Sequence, residues 1–153
     1  MSLKVKDKAP NFRIFNQNEE IIDLKSIKSN LILFFYPKDA TPGCTKEAVA
    51  FSKSITKFNN LGYLVFGISK DSALKHRNFI KKHTLLVDLL SDFENDICEK
   101  YGVWVEKNMY GRKYFGIERT TFIINKNKRI VQVWNKVKVN NHIEEVLDYI
   151  QNI

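Results

Sequence analysis

The segment that most limits what this chain can become is Leu31-Ile32-Leu33-Phe34-Phe35-Tyr36, closed by Pro37 and followed by Pro42-Gly43 and a helical repeat. The run has no polar alternation, so it reads as a strand buried on both faces, the kind found in a sheet with helices above and below. After the turn, Ala48, Phe51, Ile55 and Phe58 recur three and four residues apart, the period of an amphipathic helix. The unit is strand, turn, helix, and it places one thiol, Cys44, at the first turn of that helix.

The rest of the chain extends this frame. Phe12–Phe15 reads as a short strand, and Ile21-Ile22 pairs back across the polar Asn16–Glu20 turn as a hairpin. Tyr63–Ile68 is a second buried strand. Asp71 or Ser72 caps a helix running to about Lys82, and Leu85–Leu90 is a third strand. Ser91 and Glu94 form a Ser-x-x-Glu capping box for a short helix that ends at Gly102. Val103–Ile117, with Gly111 and Gly116, reads as loop. Thr120–Ile124 and Arg129–Trp134 are two strands, and a last helix capped by Asn140 or Asn141 presents Ile143, Val146, Leu147 and Ile150. The expected fold is α/β: a central mixed β-sheet with helices on both faces and an N-terminal β-hairpin. A thiol at the first βα junction of such a sheet is the thioredoxin-like arrangement. With 153 residues and no linker or repeat, residues 1–153 are expected to form one domain.

Composition narrows the function classes. Two cysteines, Cys44 and Cys98, are too few for a disulfide framework, and no Cys/His spacing reads as zinc, so neither a metal nor another cofactor is expected. The net charge of +8 comes from lysines scattered singly or in pairs such as Lys81-Lys82. No basic block or aromatic-studded basic stripe marks a nucleic-acid surface. No stretch approaches the ~20 apolar residues that span a bilayer, and Met1–Asp7 lacks the apolar centre of a signal peptide. The expected location is the reducing cytoplasm. His76, His83 and His142 fall in polar or capping segments and read as solvent-facing.

The chemistry converges on Cys44. Unpaired amides and the positive end of the helix dipole favour thiolate over thiol, and the thiolate is the nucleophile. Cys44 shares a helix face with Ala48 and Phe51, so its sulfur meets apolar surroundings that oppose ionisation. A permanent cation is needed to offset this. Arg119, at the entrance to the Thr120–Ile124 strand, carries a charge that survives partial burial, yet its position alone reads as a surface arginine at a strand start. Thr41 can donate to sulfur and accept from a substrate hydroxyl. Pro37, lacking an N–H, shapes the loop. Gly43 offers an amide and close approach, and Glu47 stands where it can orient Arg119.

The spacing Pro37-x-x-x-Thr41-x-x-Cys44 resembles the peroxiredoxin active-site signature. The text Phe35-Tyr36-Pro37-Lys38-Asp39-Ala40-Thr41-Pro42-Gly43-Cys44-Thr45 resembles the bacterioferritin comigratory protein (peroxiredoxin Q) branch. Ala9-Pro10-x-Phe12, Gly67-Ile68-Ser69-x-Asp71, Leu90-Ser91-Asp92, Tyr101-Gly102-Val103-Trp104, Gly116-Ile117-x-Arg119-x-Thr121-Phe122 and Lys136-Val137-Lys138 extend the match along the chain. The resemblance implies a thioredoxin-like fold and a thiol peroxidase that consumes hydrogen peroxide and organic hydroperoxides. It implies regeneration by thioredoxin or another dithiol, no cofactor, and a monomer. Pro37, Thr41, Cys44 and Arg119 match the family's catalytic set.

One departure bears on the cycle. The branch commonly carries a resolving cysteine on the same helix, where this chain has Val49. Two routes remain open: Cys98 resolves Cys44, or an outside thiol attacks the sulfenic acid directly. The missing cysteine also keeps a second class of function in play, a thioredoxin-like binding or chaperone module with little turnover. Disulfide reductase chemistry is disfavoured, because Glu47 stands where a Cys-x-x-Cys motif needs its second thiol.

Overall fold

The computed structural model describes residues 3–153; Met1 and Ser2, the first residues of the segment read for a leader, lie outside the described residues. The elements run β1 (Arg13–Phe15), β2 (Ile21–Asp23), β3 (Asn30–Phe35), α1 (Pro42–Lys53), α2 (Ile55–Asn60), β4 (Tyr63–Ser69), α3 (Ala73–His83) and β5 (Asp88–Ser91). They continue α4 (Ile97–Lys100), β6 (Trp104–Met109), β7 (Arg112–Ile117), β8 (Thr120–Ile124), β9 (Ile130–Trp134) and α5 (His142–Gln151). Seven strands make one sheet in the order β2-β1-β5-β4-β3-β8-β9, and β6-β7 form a separate ribbon. The β3–β4 and β4–β5 pairs are parallel, joined through helices, while β8 lies antiparallel to β3. This is the expected mixed sheet, with the N-terminal hairpin carried on the edge of β5.

The pleat of β3 divides the core. Leu31, Leu33 and Phe35 face one cluster with Phe12, Leu90, Ile97, Cys98, Tyr101 and Phe122. Ile32, Phe34 and Tyr36 face the other, with Cys44, Ala48, Phe51, Phe79, Ile143 and Val146. Successive strand residues point to opposite faces. Helices α1, α2, α3 and α5 therefore cover one face, and α4 with the N-terminal segment covers the other. Every side chain of β3 from Leu31 to Phe35 is fully buried, which explains its unbroken apolar text. Gly67 on β4 faces the same crowding: a Cβ there would lie 2.7 Å from the ring of Phe34.

Several expectations are corrected. Val103–Ile117 is a regular antiparallel hairpin with Trp104 opposite Ile117 and Met109 opposite Arg112. Tyr110 and Gly111 both adopt positive φ at its tip. The text read as loop because the ribbon projects from the sheet and most of its side chains remain exposed, so no burial pattern marks it. The Ser91–Glu94 capping box does not form: Ser91 ends β5, Glu94 has φ +59°, and α4 covers only Ile97–Lys100. Asp92 serves that turn instead, its carboxylate accepting from Ile97 N (3.0 Å) and Cys98 N (2.8 Å). The long first helix is two helices, broken at Ser54. The third strand is shorter than Leu85–Leu90 and shifted, spanning Asp88–Ser91.

Two histidines read as solvent-facing are buried, His76 at 0% and His142 at 1% exposure. His142 sits between Thr121 Oγ1 (2.8 Å from Nε2) and Glu145 Oε1 (3.1 Å from Nδ1). Nδ1–H donates to the carboxylate, so Nε2 accepts from the threonine hydroxyl. Burial holds its pKa below the usual histidine value. Ser72 caps α3 as expected, its side chain accepting from Lys75 N. Among the described residues no helix is long and apolar enough to cross a membrane.

Candidate active site

The β3–α1 loop turns sharply before the helix. Ala40 holds φ +65°, Thr41 is extended at φ −85° and ψ 153°, and Pro42 opens α1. Proline suits that first position, because its ring fixes a helical φ and its absent N–H removes a donor that would lack a partner. The first intrahelical bond is Thr45 N to Thr41 O (2.9 Å). The amides of Gly43 and Cys44 precede it and stand at the positive end of the helix. Cys44 is 2% exposed and packs among Phe34, Ala48 and Phe51.

Arg119 reaches this sulfur from the β7–β8 connection. Its Nη2 donates to Cys44 Sγ at 3.4 Å and its Nη1 to Glu47 Oε1 at 2.7 Å. One guanidinium thus serves two groups a helical turn apart on α1, a task that suits its fixed fork of donors. Backbone pairing of Val137 N with Arg119 O (2.9 Å) fixes where the side chain starts. Gly43 leaves it room: a Cβ on residue 43 would lie 3.2 Å from Arg119 Nη2.

Glu47 is 0% exposed, and its Oε2 has no hydrogen-bond partner among the described residues. Burial outweighs the attraction of Arg119 and pushes its pKa up to about 7. Arg119, at the outer end of the pair with 16% of its side chain exposed, moves up instead: the charges and hydrogen bonds of Glu47 and Cys44 together outweigh its own desolvation. Lys107 of β6 adds a second cation beside the site. Its Nζ donates to Ile117 O (2.6 Å), and desolvation first, then the Arg119 charge, lowers its pKa.

The other residues singled out in the sequence fall as follows. Thr41 Oγ1 donates to Lys38 O (2.9 Å) rather than to sulfur, which leaves its oxygen as an acceptor. Pro37 directly follows Tyr36 at the end of β3, half-buried. Cys98 is fully buried on the opposite face of the sheet from Cys44. Desolvation and the Asp92 carboxylate beside it push its pKa far above the ordinary thiol range.

Sequence reasoning missed Lys107 and a polar cluster under the loop. In that cluster Tyr36 Oη donates to Asp39 Oδ1 (2.6 Å), His76 Nδ1 lies 2.7 Å from Asp39 Oδ2, and Asp39 N donates to Asp71 Oδ2 (2.8 Å). Lys107 was hidden in a segment read as loop. The pair Asp39 and Asp71 gave one signal, since acids flanking a buried strand end need partners. Asp39, Asp71 and His76 come close enough to hold a cation. Their hydrogen bonds to one another and to Tyr36, Ser69 and Leu90 already occupy those atoms.

Residues 5–133 match the AhpC/TSA family. The putative peroxiredoxin bcp of Coxiella burnetii is 49% identical over 148 residues, covering 96% of this chain and 98% of that protein. Peroxiredoxin Bcp of Bacillus subtilis is 40% identical over 154 residues, covering 100% and 98%. A cysteine variant of Xylella fastidiosa PrxQ superposes with a TM-score of 0.93 at 33% identity, covering 99% and 98%. The bacterioferritin comigratory protein of Xanthomonas campestris, studied for alkyl peroxide reduction, superposes with a TM-score of 0.87 at 35% identity, covering 92% and 90%. A thiol at a helix start, a guanidinium on its sulfur and full-length likeness to these proteins lead to one assignment: the chain belongs to the AhpC/TSA peroxiredoxin family, in its Bcp (peroxiredoxin Q) branch.

Proposed function

We propose that Cys44 is the peroxidatic nucleophile of a thiol-dependent peroxidase that reduces hydrogen peroxide and organic hydroperoxides in antioxidant defence. The observation that carries this reading is the 3.4 Å contact from Arg119 Nη2 to Cys44 Sγ at the first turn of α1. The cation and the helix-end amides favour the thiolate. The thiolate attacks one peroxide oxygen, the O–O bond breaks, and the electron pair leaves with the second oxygen, which takes a proton to become water or an alcohol. Arg119 serves twice, on the sulfur before attack and on the charge that develops as the bond breaks. Thr41 Oγ1, with its own proton directed to Lys38 O, is an acceptor for the peroxide O–H. Pro37 and Gly43 shape the approach, and Glu47 holds the guanidinium in place.

The product is a sulfenic acid on Cys44. An outside thiol attacks it, releasing water and leaving a mixed disulfide, and a second thiol frees Cys44. This one-cysteine route is favoured because Val49 offers no sulfur and Cys98 lies beyond the sheet. Thioredoxin or another dithiol is the donor. We place the protein, as a single-domain monomer, in the cytoplasm, where two free cysteines suit a reducing environment.

The test is peroxide consumption with dithiothreitol as donor, by the wild type and by Cys44→Ser. Turnover by the first alone is expected. Equal, negligible consumption by both would return the chain to the class of thioredoxin-like binding modules.

A further inference from the structure

The polar cluster under the active-site loop has no part in the peroxide reaction, yet its members are tied to one another and to β4 and β5 by several hydrogen bonds. His76, on α3, is 0% exposed. Its Nε2 lies 3.0 Å from Leu90 O on β5. A carbonyl only accepts, so Nε2 carries a proton. On the other side, Nδ1 lies 2.7 Å from Asp39 Oδ2, while Tyr36 directs its hydroxyl proton to Asp39 Oδ1. Nδ1 and Oδ2 lie within hydrogen-bond distance, so the ring is held at both nitrogens.

Asp39 is held three ways: by Tyr36 at the end of β3, by His76 from α3, and through its amide by Asp71 from the β4–α3 turn. Ser69 Oγ in turn donates to Asp71 Oδ2 (2.7 Å). The next residue, Ala40, is in the left-handed region at φ +65°, which a residue with a Cβ occupies only when its surroundings over-determine it. Immediately after come Thr41, whose hydroxyl folds back onto Lys38 O, and Pro42-Gly43-Cys44. The conformation that aims the Thr41 oxygen and the first turn of α1 thus descends from the anchoring of Asp39.

We infer that His76 is a positioning residue for the peroxide reaction: by bridging Leu90 O to the Asp39 carboxylate it holds the Pro37–Thr41 loop in the conformation that presents Thr41 and Cys44 to peroxide. The inference rests on the reading of Cys44 given above. His76 touches neither sulfur nor substrate and acts through Asp39. Being buried and bound at both nitrogens, it cannot be replaced by a side chain that satisfies only one of the two acceptors.

The test compares two reactions of the same sulfur. Single-turnover reaction with hydrogen peroxide depends on the placement of Thr41 and of the first turn, whereas alkylation by iodoacetamide needs only an accessible thiolate. His76→Ala is expected to slow the peroxide reaction by about tenfold or more, since small misplacements of reacting groups are costly, while alkylation stays at or above the wild-type rate. A cavity of about 270 Å³ bounded in part by Asp39, Ala40 and Phe79 adjoins the site of the lost ring. Added imidazole is therefore expected to restore part of the peroxide rate of His76→Ala and none of that of Asp39→Asn. Should His76→Ala fail to fold, His76→Gln is judged by the same ratio of the two rates. An unchanged peroxide rate, or peroxide and alkylation rates falling in equal proportion, overturns the inference. Equal rates in wild type and Cys44→Ser would overturn the reading of Cys44 instead.

Discussion

Arg119 holds Cys44 and Glu47 at once, with Nη2 3.4 Å from the sulfur and Nη1 2.7 Å from the carboxylate. The two contacts use different nitrogens of one rigid plane. Arg119→Ala removes both, and the peroxide rate is expected to fall by about 10²-fold, the usual effect of deleting one donor to a developing charge. Arg119→Lys keeps the charge but gives a single ammonium that cannot span the same two partners, so it should fall well short of wild type. Stopped-flow measurement of peroxide reduction by both variants checks this. Wild-type rates in Arg119→Lys would mean that charge alone matters and the fork does not.

Gly43 separates activity from stability. A Cβ at this position would meet Arg119 Nη2 at 3.2 Å, so the guanidinium must shift by a few tenths of an ångström. Alanine in place of glycine near a helix start is neutral or gains up to about 1 kcal/mol of stability. Gly43→Ala is therefore expected to keep or raise the unfolding temperature while lowering the peroxide rate by about tenfold. Calorimetry and stopped-flow on the same sample decide it; loss of both together would mean that the site cannot absorb the methyl group.

The sequence disclosed this site unevenly, and the reasons are physical. β3, β4 and β8 were legible because burial of almost every side chain leaves their text mostly apolar, with Asn30, Ser69, Thr120 and Thr121 toward the strand ends. Cys44 and Thr41 were legible because a Pro-Gly turn before a helical period is local chemistry. Arg119 was not: a lone arginine before a strand looks like surface, and only the match to a known family raised it to candidate. The β6–β7 ribbon was missed because it packs little and so writes no alternation. The buried histidines were missed because their neighbours along the chain, lysines in α3 and glutamates in α5, face solvent while the rings turn inward. His76 and Asp39 meet across 37 positions, a pairing that only the fold creates.

Cys98 should be dispensable for turnover. It is fully buried across the sheet from Cys44, and desolvation together with Asp92 keeps it a neutral thiol. Cys98→Ala is expected to retain the wild-type peroxide rate and turnover with a small dithiol, at a modest loss of stability from the space left. Intact mass of the wild type after one equivalent of peroxide, without reductant, should show a gain of oxygen. A loss of two hydrogens would mean a Cys44–Cys98 bond and a large rearrangement of the sheet's covering layers.

Glu47 should make folding stability depend on pH in an unusual direction for a paired carboxylate. Its pKa rises from the ordinary glutamate value of about 4.5 to about 7 in the folded protein, because burial outweighs Arg119. The folded state therefore binds the Glu47 proton more tightly than the unfolded chain does. That contribution is fully present below pH 4.5 and is lost as pH rises through about 7. At most it amounts to about 3 kcal/mol, at 1.36 kcal/mol per unit. Glu47→Gln keeps an acceptor for Arg119 Nη1 and has no charge to bury. The difference in urea-unfolding free energy between this variant and wild type should therefore widen in favour of the variant from pH 5 to pH 8. A difference that stays constant across that range would mean that Arg119 holds Glu47 ionised throughout, and that the guanidinium shares its charge with the carboxylate whenever it faces the sulfur.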